Sequence, residues 1–433
     1  MSTQEFQRFR QRRVKTCAVK IGSGKTPSGG AQTYESSGVT FLRSQNVHFD
    51  GLRLDDVAYI SEEAHREMKG TEVRTGDVLL NITGASLGRV AVAPDGLGKA
   101  NVNQHVCILR PNPDTESRFL AYSLSSLDVQ EQILAQQVGA NRDGLNFEQV
   151  ANLKLRLPDR EEQRRISDFL DAETSRINRL IELRRNQIAI LDARIGQLLD
   201  GVVAGDLDTL KKISADEPSL DWREGKISRL CEVIPGYAFP SSGFLTDSTG
   251  VRLLRGINVT VGATSWDEIA TWDVTAQPVP TRFHLQVGDL TIGMDRPWIS
   301  TGMRITFIQT EDLPTLLLQR VACLRPKGDV SMKYIRRVLE SSNFRLEIES
   351  EMTGVSVPHV SGEQIGGFTF RLPSKERQES ISDALERQIE QTSRLKSSIA
   401  RQVALLSERR QALIMAAVTG QLDVTISRGG EIR

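Results

Sequence analysis

The stretch "RLPDREEQRRISDFL", Arg156–Leu170, returns as "RLPSKERQESISDAL", Arg371–Leu385, a shift of 215 residues. At the same shift, "VVAGDLD" from Val202 returns as "AVTGQLD" from Ala417, and "QHVCILRP" from Gln104 as "QRVACLRP" from Gln319. Further upstream, "VTFLRSQNV" from Val39 returns as "VRLLRGINV" from Val251, and "GDVLL" from Gly76 as "GDLTI" from Gly288, both shifted by 212. The shift changes once, which predicts a three-residue length difference between Gly88 and Gln104. Self-similarity at a fixed period decides the architecture before any local reading does. This period is too long for a solenoid, whose repeats are a few tens of residues. The chain is a duplicated domain pair.

Each copy has two parts. Short apolar runs such as "DVLLNI", "HVCILRP" and "LTIGM", broken by Gly, Asp and Pro, predict strands joined by turns, with a few helices such as Arg118–Ala135. From the Arg-Leu-Pro tripeptide onward the pattern becomes one long helix. Asp159 and Ser374 are N-cap types, Glu162 completes a capping box in the first copy, and Gly205 and Gly420 stand where a helix would stop. Ile177, Ile181, Arg184, Ile188, Leu191, Ile195, Leu198 and Val202 step by fours and threes, and the second copy repeats the alternation from Leu385 to Ala417. So narrow a stripe is a coiled-coil seam rather than a face for a globular core. Its simplest partner is the other long helix, antiparallel; a helix of ~40 residues is ~60 Å long and would hold the two mixed domains at opposite ends of a spacer. The expected fold is α+β with an internal pseudo-two-fold repeat. Its parts are a first mixed α/β domain (1–157), a first long helix (158–205) and a linker (206–221), then a second mixed domain (222–372), a second long helix (373–420) and a tail (421–433).

Composition narrows the function. With 39% hydrophobic residues, mean hydropathy −0.29 and no apolar run of membrane-spanning length, the chain reads as a soluble globular protein with no membrane partner. "MSTQEFQRFRQRR" at the N-terminus has no apolar core for a signal peptide, and Cys17, Cys107, Cys231 and Cys323 form no C-x-x-C pair, so a cytoplasmic protein is expected. Lys plus Arg and Asp plus Glu are both 55, so any nucleic acid must be held by local patches. Arg8, Arg10, Arg12, Arg13 and Lys15 form one such patch, or else a solvated tail.

No catalytic constellation emerges. The run "IGSGKTPSGG", Ile21–Gly30, resembles the end of a phosphate-binding loop, but the glycine required five residues before Gly24 is Val19, and Pro27 disfavours a helix start at Thr26. The second copy aligns "VIPGYAF" with "IGSGKTP", so the duplication keeps Gly24 as Gly236 and loses the lysine. The five histidines have no metal-ligand spacing, there is no G-x-S-x-G elbow, and no cofactor is expected. Gln104/Gln319, Arg110/Arg325, Arg43/Arg255 and Asn46/Asn258 recur and suit either the fold or a ligand. Positions that differ suit two specificities: Arg89, Asn101, Asn103, Asn141 and Arg142 in the first copy, Arg296, Trp298, Arg304, Arg320 and His359 in the second. Arg and Asn have the forked donors and acceptors that pair with guanine and adenine edges.

Two variable domains, each followed by a long helix in a non-catalytic chain, resemble the DNA-specificity subunit of type I restriction–modification systems. The "G-x-T-P-S" turn is similar to Gly24–Ser28, and "LR-x-x-N-V" to Leu42–Val47 and Leu254–Val259. "GD-h-L" matches Gly76–Leu79 and, more loosely, Gly288–Thr291. "LP…E-Q…I" matches Leu157, Pro158, Glu162, Gln163 and Ile166, then Leu372, Pro373, Gln378 and Ile381. The second copy departs at Arg377, where the family has Glu, and in "AFPSS" for the first turn. The resemblance implies two target-recognition domains reading a bipartite, asymmetric site in double-stranded DNA. It implies helices that set the gap and carry two modification (adenine methyltransferase) subunits, with two ATP-dependent restriction subunits joining them. DNA contacts are expected from Arg43, Asn46, Arg89, Asn101, Asn103, Arg142, Arg255, Asn258, Arg296, Trp298, Arg304 and Arg320. The alternatives are a P-loop-type ATP-binding enzyme and a coiled-coil scaffold that reads no sequence.

Overall fold

A computed structural model describes residues 9–137, 144–213, 222–245, 250–351 and 359–424. It divides into two units, residues 1–185 with 400–433, and residues 186–399.

In the first unit four strands form an antiparallel sheet in the order Ala18–Ser23, Val106–Pro111, Val78–Asn81, Val90–Val92. Side chains alternate along a strand. Val78, Leu80, Cys107 and Leu109 therefore enter one apolar core, and Leu79, Val106 and Ile108 the core on the opposite face. Because both faces are covered, the strands read as unbroken apolar runs rather than as alternating ones. Two helices, Ser117–Ser125 and Leu127–Ala135, cover the first face with Leu120, Leu124, Val129 and Ile133. One helix was expected here. Ser126 breaks it with an extended backbone, ψ 149°, and turns its hydroxyl onto the carbonyl of Ser123 at 2.7 Å. The other face packs against a second sheet, in which Val39–Leu42 and Ala100–Val102 run parallel between Ala58–Ile60 and Glu72–Val73.

The second unit repeats this plan, with a sheet in the order Cys231–Pro235, Val321–Pro326, Leu290–Gly293, Ile305–Phe307. A three-stranded sheet accompanies it, with Val251–Leu254 and Thr315–Leu317 again the parallel pair. The registers place the length difference between copies. Leu80 pairs with Val90 in one unit and Ile292 with Ile305 in the other, so the extra residues belong to the loop before Arg89 and not to the segment after Gly88. In the second unit that loop holds a hairpin, Trp298–Ile299 with Gly302–Met303. Arg89 and Arg304, taken from sequence as differing positions, occupy the same place.

The long helices run Arg160–Ala204 and Lys375–Thr419, and both end at a glycine in left-handed conformation, Gly205 at φ 71° and Gly420 at φ 80°. Asp159 accepts the N–H of Glu162 at 2.9 Å, as an N-cap should. The recurring glutamine is a latch. Gln163, buried, accepts the N–H of Glu116 at 2.8 Å and donates to the carbonyls of Asp114 and Pro158. Gln378, also buried, accepts from the N–H of Ser331 at 2.8 Å and donates to Pro373. Each long helix is thereby fastened to the helix that covers its own unit's sheet.

The seam pairs within each unit. In the first, Ile166 and Leu170 pack with Ile414, Ala417, Val418 and Phe9, and Arg410 donates to Asn178 at 3.2 Å. In the second, Leu199, Val202 and Val203 share a core with Ile381 and Leu385, and Lys396 pairs with Asp192. The start of one helix thus meets the end of the other: they are antiparallel. Of the segment expected as a linker, Leu207–Ile213 is a helix whose Leu210 is buried, and residues 214–221 lie outside the described residues. The basic N-terminal run forms a strand, Arg10–Arg13, paired with Lys154–Leu157 and leaving its side chains exposed.

Candidate nucleic-acid interface

One end of each four-stranded sheet gathers three chain segments. In the first unit these are the exit of Ala18–Ser23, the loop after Val78–Asn81, and the turn between Ala100–Val102 and Val106–Pro111. The first and third are pressed together at Gly24, whose N–H donates to the carbonyl of Asn103 at 3.1 Å. A Cβ there would stand 1.6 Å from the Val102 carbonyl oxygen; at Gly236, the matching residue, one would stand 2.1 Å from that of Leu318. The duplication keeps this glycine because two backbones touch there, and no helix opens from the "GSGKT" run. Lys25 donates to the carbonyl of Glu67 at 3.2 Å, which leaves the phosphate-loop alternative without its geometry.

Across this end of the first unit runs a row of hydrogen-bonded side chains. The Thr26 hydroxyl donates to Oε1 of Gln104, and the Gln104 amide meets Nε2 of His105 at 3.1 Å. Nδ1 of His105 meets the Thr83 hydroxyl at 2.6 Å. Because an amide N–H can only donate, Nε2 of His105 accepts and Nδ1 carries the proton. The Thr83 oxygen then accepts from His105 and its own O–H is left to donate outward. The row is neutral.

At the same end of the second unit the chemistry is ionic. Asp295 replaces Thr83 and Arg320 replaces His105. His359 replaces Gly144, which in the first unit bridges Thr83 as His359 bridges Asp295. Arg320 Nη1 donates to Asp295 Oδ1 at 3.0 Å, and His359 Nδ1 meets the same oxygen at 2.6 Å. Partial burial would raise the Asp295 carboxyl, but the hydrogen bonds and charges of His359 and Arg320 outweigh it and hold the group below its ordinary range. Arg304, half-buried, braces the loop by donating to the carbonyls of Val259 and Asp295, each at 3.0 Å. Trp298 packs on Phe344, ring centroids 5.9 Å apart, with the Arg345 guanidinium 5.8 Å from its centroid.

The remaining residues named from sequence are scattered. Asn46 and Asn258 are buried and spend their amides on the main chain, on Arg53 and Asp56 and on Ser265 and Glu268 respectively. Arg43 and Arg255 are half-buried above these turns and donate to Asp56 and Glu268 carbonyls. Asn101 is fully buried, bonded to Met68, Thr71 and His65. Asn103, also buried, accepts the N–H of His105 at 3.1 Å. For Asn46, Asn101 and Asn258 the fold itself occupies the groups a base would need, and for Asn103 it occupies the side-chain oxygen. Arg89 is partly exposed, Arg296 exposed, and Arg142, with Asn141, lies outside the described residues. Sequence reasoning missed Thr83, His105 and Asp295. The signal was available in "QHV" against "QRV", where a single substitution falls inside an otherwise recurring motif. Among the described residues no group of His, Cys, Asp and Glu could hold a metal ion, and no helix is long and apolar enough to cross a membrane.

Residues 19–189 match the family model of the type I restriction modification DNA specificity domain. The chain is 28% identical over 304 residues to the type I restriction enzyme EcoAI specificity subunit of Escherichia coli, covering 63% of this chain and 49% of that one. It is 24% identical over 319 residues to the MjaVIII specificity subunit of Methanocaldococcus jannaschii, covering 72% of each. The match to the E. coli relative thus spans about half of that protein's length. Among solved structures, a chain from work on complex assembly and conformational transition of the type I R-M system superposes with a TM-score of 0.74 at 19% identity, covering 96% of this chain and 98% of that one. The HsdS subunit from Thermoanaerobacter tengcongensis superposes at 0.53, also 19% identical, covering 96% and 97%. The duplicated architecture and these matches agree: residues 19–189 carry the type I restriction modification DNA specificity domain, and the chain as a whole is similar to type I specificity subunits.

Proposed function

We propose that the chain reads DNA for a type I restriction–modification complex and catalyses nothing itself. The observation that carries this is one scaffold built twice with different polar groups at the same strand ends, neutral in one unit and ionic in the other. A protein that binds one ligand with both copies has no use for that difference; one that reads two unlike half-sites requires it. Residues 1–157 and 222–372 hold the two reading domains, and 158–205 and 373–420 the helices that set the gap, with 206–221 the linker and 421–433 the tail. The helices also carry two modification subunits, which bind S-adenosylmethionine and methylate adenine, and two restriction subunits that use ATP and Mg²⁺ join that core. The assembly works on double-stranded DNA in the cytoplasm. Zero net charge suits this reading, since phosphate neutralisation is left to local arginines such as Arg10, Arg12 and Arg13.

The test is to supply the chain with its modification subunits to a host lacking other methylation and to sequence the methylated adenines. A bipartite, asymmetric motif with an unspecified gap is expected. Methylation without a motif, or a single continuous motif, would refute the two-reader reading.

A further inference from the structure

The second unit bends its backbone to present arginine. Among the described residues only two that are not glycine have positive φ, Arg296 at 45° and Arg320 at 72°. Both belong to the Asp295 cluster, one as its chain neighbour and the other as its hydrogen-bond donor. At the position matching Arg296 the first unit has Gly84, at φ 71°. The loop therefore demands a left-handed residue there; the first copy fills the place with the residue that fits and the second with one that is strained. Strain retained in two side chains around one carboxylate marks a site where the side chain is wanted for something other than folding.

The hydrogen bonds indicate what that is. The Arg320 side chain is 60% exposed, and among the described residues only its Nη1 bonds to protein, on Asp295. Its Nε–H and Nη2–H groups form the free edge of the guanidinium. A guanidinium edge with two parallel N–H donors, anchored from behind by a carboxylate, matches the O6 and N7 acceptors of guanine in the major groove. His359 holds the other side of Asp295 and so limits how the carboxylate can turn. In the first unit the same three places carry Thr83, His105 and Gly144, whose free hydroxyl donor suits a different base edge.

We infer that positions 83, 105 and 144 in the first unit and 295, 320 and 359 in the second are a matched set that determines base preference, and that Arg320, oriented by Asp295 and His359, reads a guanine in the second half-site. This rests on the DNA-reading function proposed above. Arg320 contacts the base; Asp295 and His359 are positioning residues.

The experiment uses the chain assembled with its modification subunits and a duplex carrying the methylated motif of the wild type. Each guanine of the motif is replaced in turn by 7-deazaguanine, which lacks the N7 acceptor. One such replacement, in one half only, should weaken wild-type binding about 10- to 100-fold. The same replacement should cost Arg320→Met and Arg320→Ala almost nothing, because neither side chain can donate to the base edge. Asp295→Asn should keep the guanine preference in weakened form, whereas His105→Arg should alter the other half-site alone. The inference is overturned if the Arg320 variants keep full sensitivity to 7-deazaguanine. It is equally overturned if they weaken all duplexes alike, as loss of a phosphate contact would, or if the wild type tolerates every replacement. Should the alanine variant fail to assemble, the methionine variant, which keeps a long side chain without a donor, decides. A wild-type complex that shows no bipartite motif at all would instead overturn the proposed function beneath it.

Discussion

Replacing Asp77 by alanine is expected to destabilise the first unit alone, and Asp289→Ala the second alone. The two units build the same bidentate pair. Arg110 donates Nε and Nη2 to the Asp77 oxygens at 2.8 and 2.7 Å, and Arg325 donates to those of Asp289 at 2.8 and 2.7 Å. Each carboxylate also accepts a main-chain N–H, from Arg74 at 2.8 Å and from Gln286 at 2.9 Å. The aspartates are 1% and 5% exposed and the arginines 19%. Breaking a fully buried pair costs about 3–5 kcal/mol, and since the arginine can partly rehydrate, about 2–4 kcal/mol is expected here. At a urea slope of ~2 kcal/mol/M, that lowers the midpoint of the affected unit by about 1–2 M. The molecule carries its own reporter, because Trp222, Trp266, Trp272 and Trp298 all fall in the second unit and no tryptophan falls in the first. Tryptophan fluorescence in urea should therefore shift for Asp289→Ala and stay put for Asp77→Ala, whose loss is visible only by circular dichroism. Equal fluorescence shifts for both variants would refute the locality argument. Shifts below about 0.5 kcal/mol in both would show that the pair is no more than an ordinary surface contact.

Lys25→Ala should leave DNA recognition and stability within ~0.5 kcal/mol of wild type, while Gly24→Ala should lose several times that amount; ATP binding by the isolated chain, abolished by Lys25→Ala, would reverse this reading. All four cysteines are buried, and burial pushes the Cys107 and Cys231 thiols from 9.0 up to about 12. A thiol raised in this way contributes stability that is fully present below its ordinary value and lost as pH climbs from about 9 towards 12. The native chain should accordingly resist a thiol reagent at neutral pH and unfold in that alkaline window, and rapid labelling of native protein would contradict it. A fragment of residues 1–215 loses Ile414, Ala417 and Val418, the cover over Ile166 and Leu170. That exposure should drive it to pair with a second copy of itself, and with modification subunits to methylate an inverted repeat; a monomer at micromolar concentration by sedimentation would count against the seam.

The duplication, the long helices, their glycine stops and the dismissal of the phosphate loop were all legible, because each is written in residues close together in sequence or in a repeat at fixed shift. Ser126 was not, since a serine reads equally as a helix residue and as the cap of a new helix. The length difference was misplaced after Gly88 because nothing in the unaligned loop identifies Arg89 with Arg304; only the pairing of Leu80 with Val90 and of Ile292 with Ile305 does. The asparagines misled for a chemical reason. The amide that pairs with adenine also pairs with a main-chain N–H and C=O, and sequence does not say which way it faces. Asn46 and Asn258 turned inward in both copies.

Difference between copies is by itself a poor guide to what reads DNA. Asn101 pairs with Phe41 in its sheet as Leu316 does with Leu253, so Asn101 and Leu316 are the same position, different in type yet both fully buried. Their difference adjusts a core: Asn101 serves Met68 and Thr71, whereas Leu316 packs in an apolar cluster with Phe239, Leu253 and Trp272. Recurrence is no better, since Gln104 and Gln319 are identical and exposed, and Gln104 belongs to the polar row. A position must both differ and face outward before it can give the halves unlike preferences. Thr83 against Asp295, His105 against Arg320 and Gly84 against Arg296 meet both conditions, and all three lie at one sheet end. They come from segments some twenty residues apart in sequence, brought together by the antiparallel pairing of Val78–Asn81 with Val106–Pro111 and of Leu290–Gly293 with Val321–Pro326. Strand pairing therefore had to be known before the candidate readers could be told from the residues that merely changed.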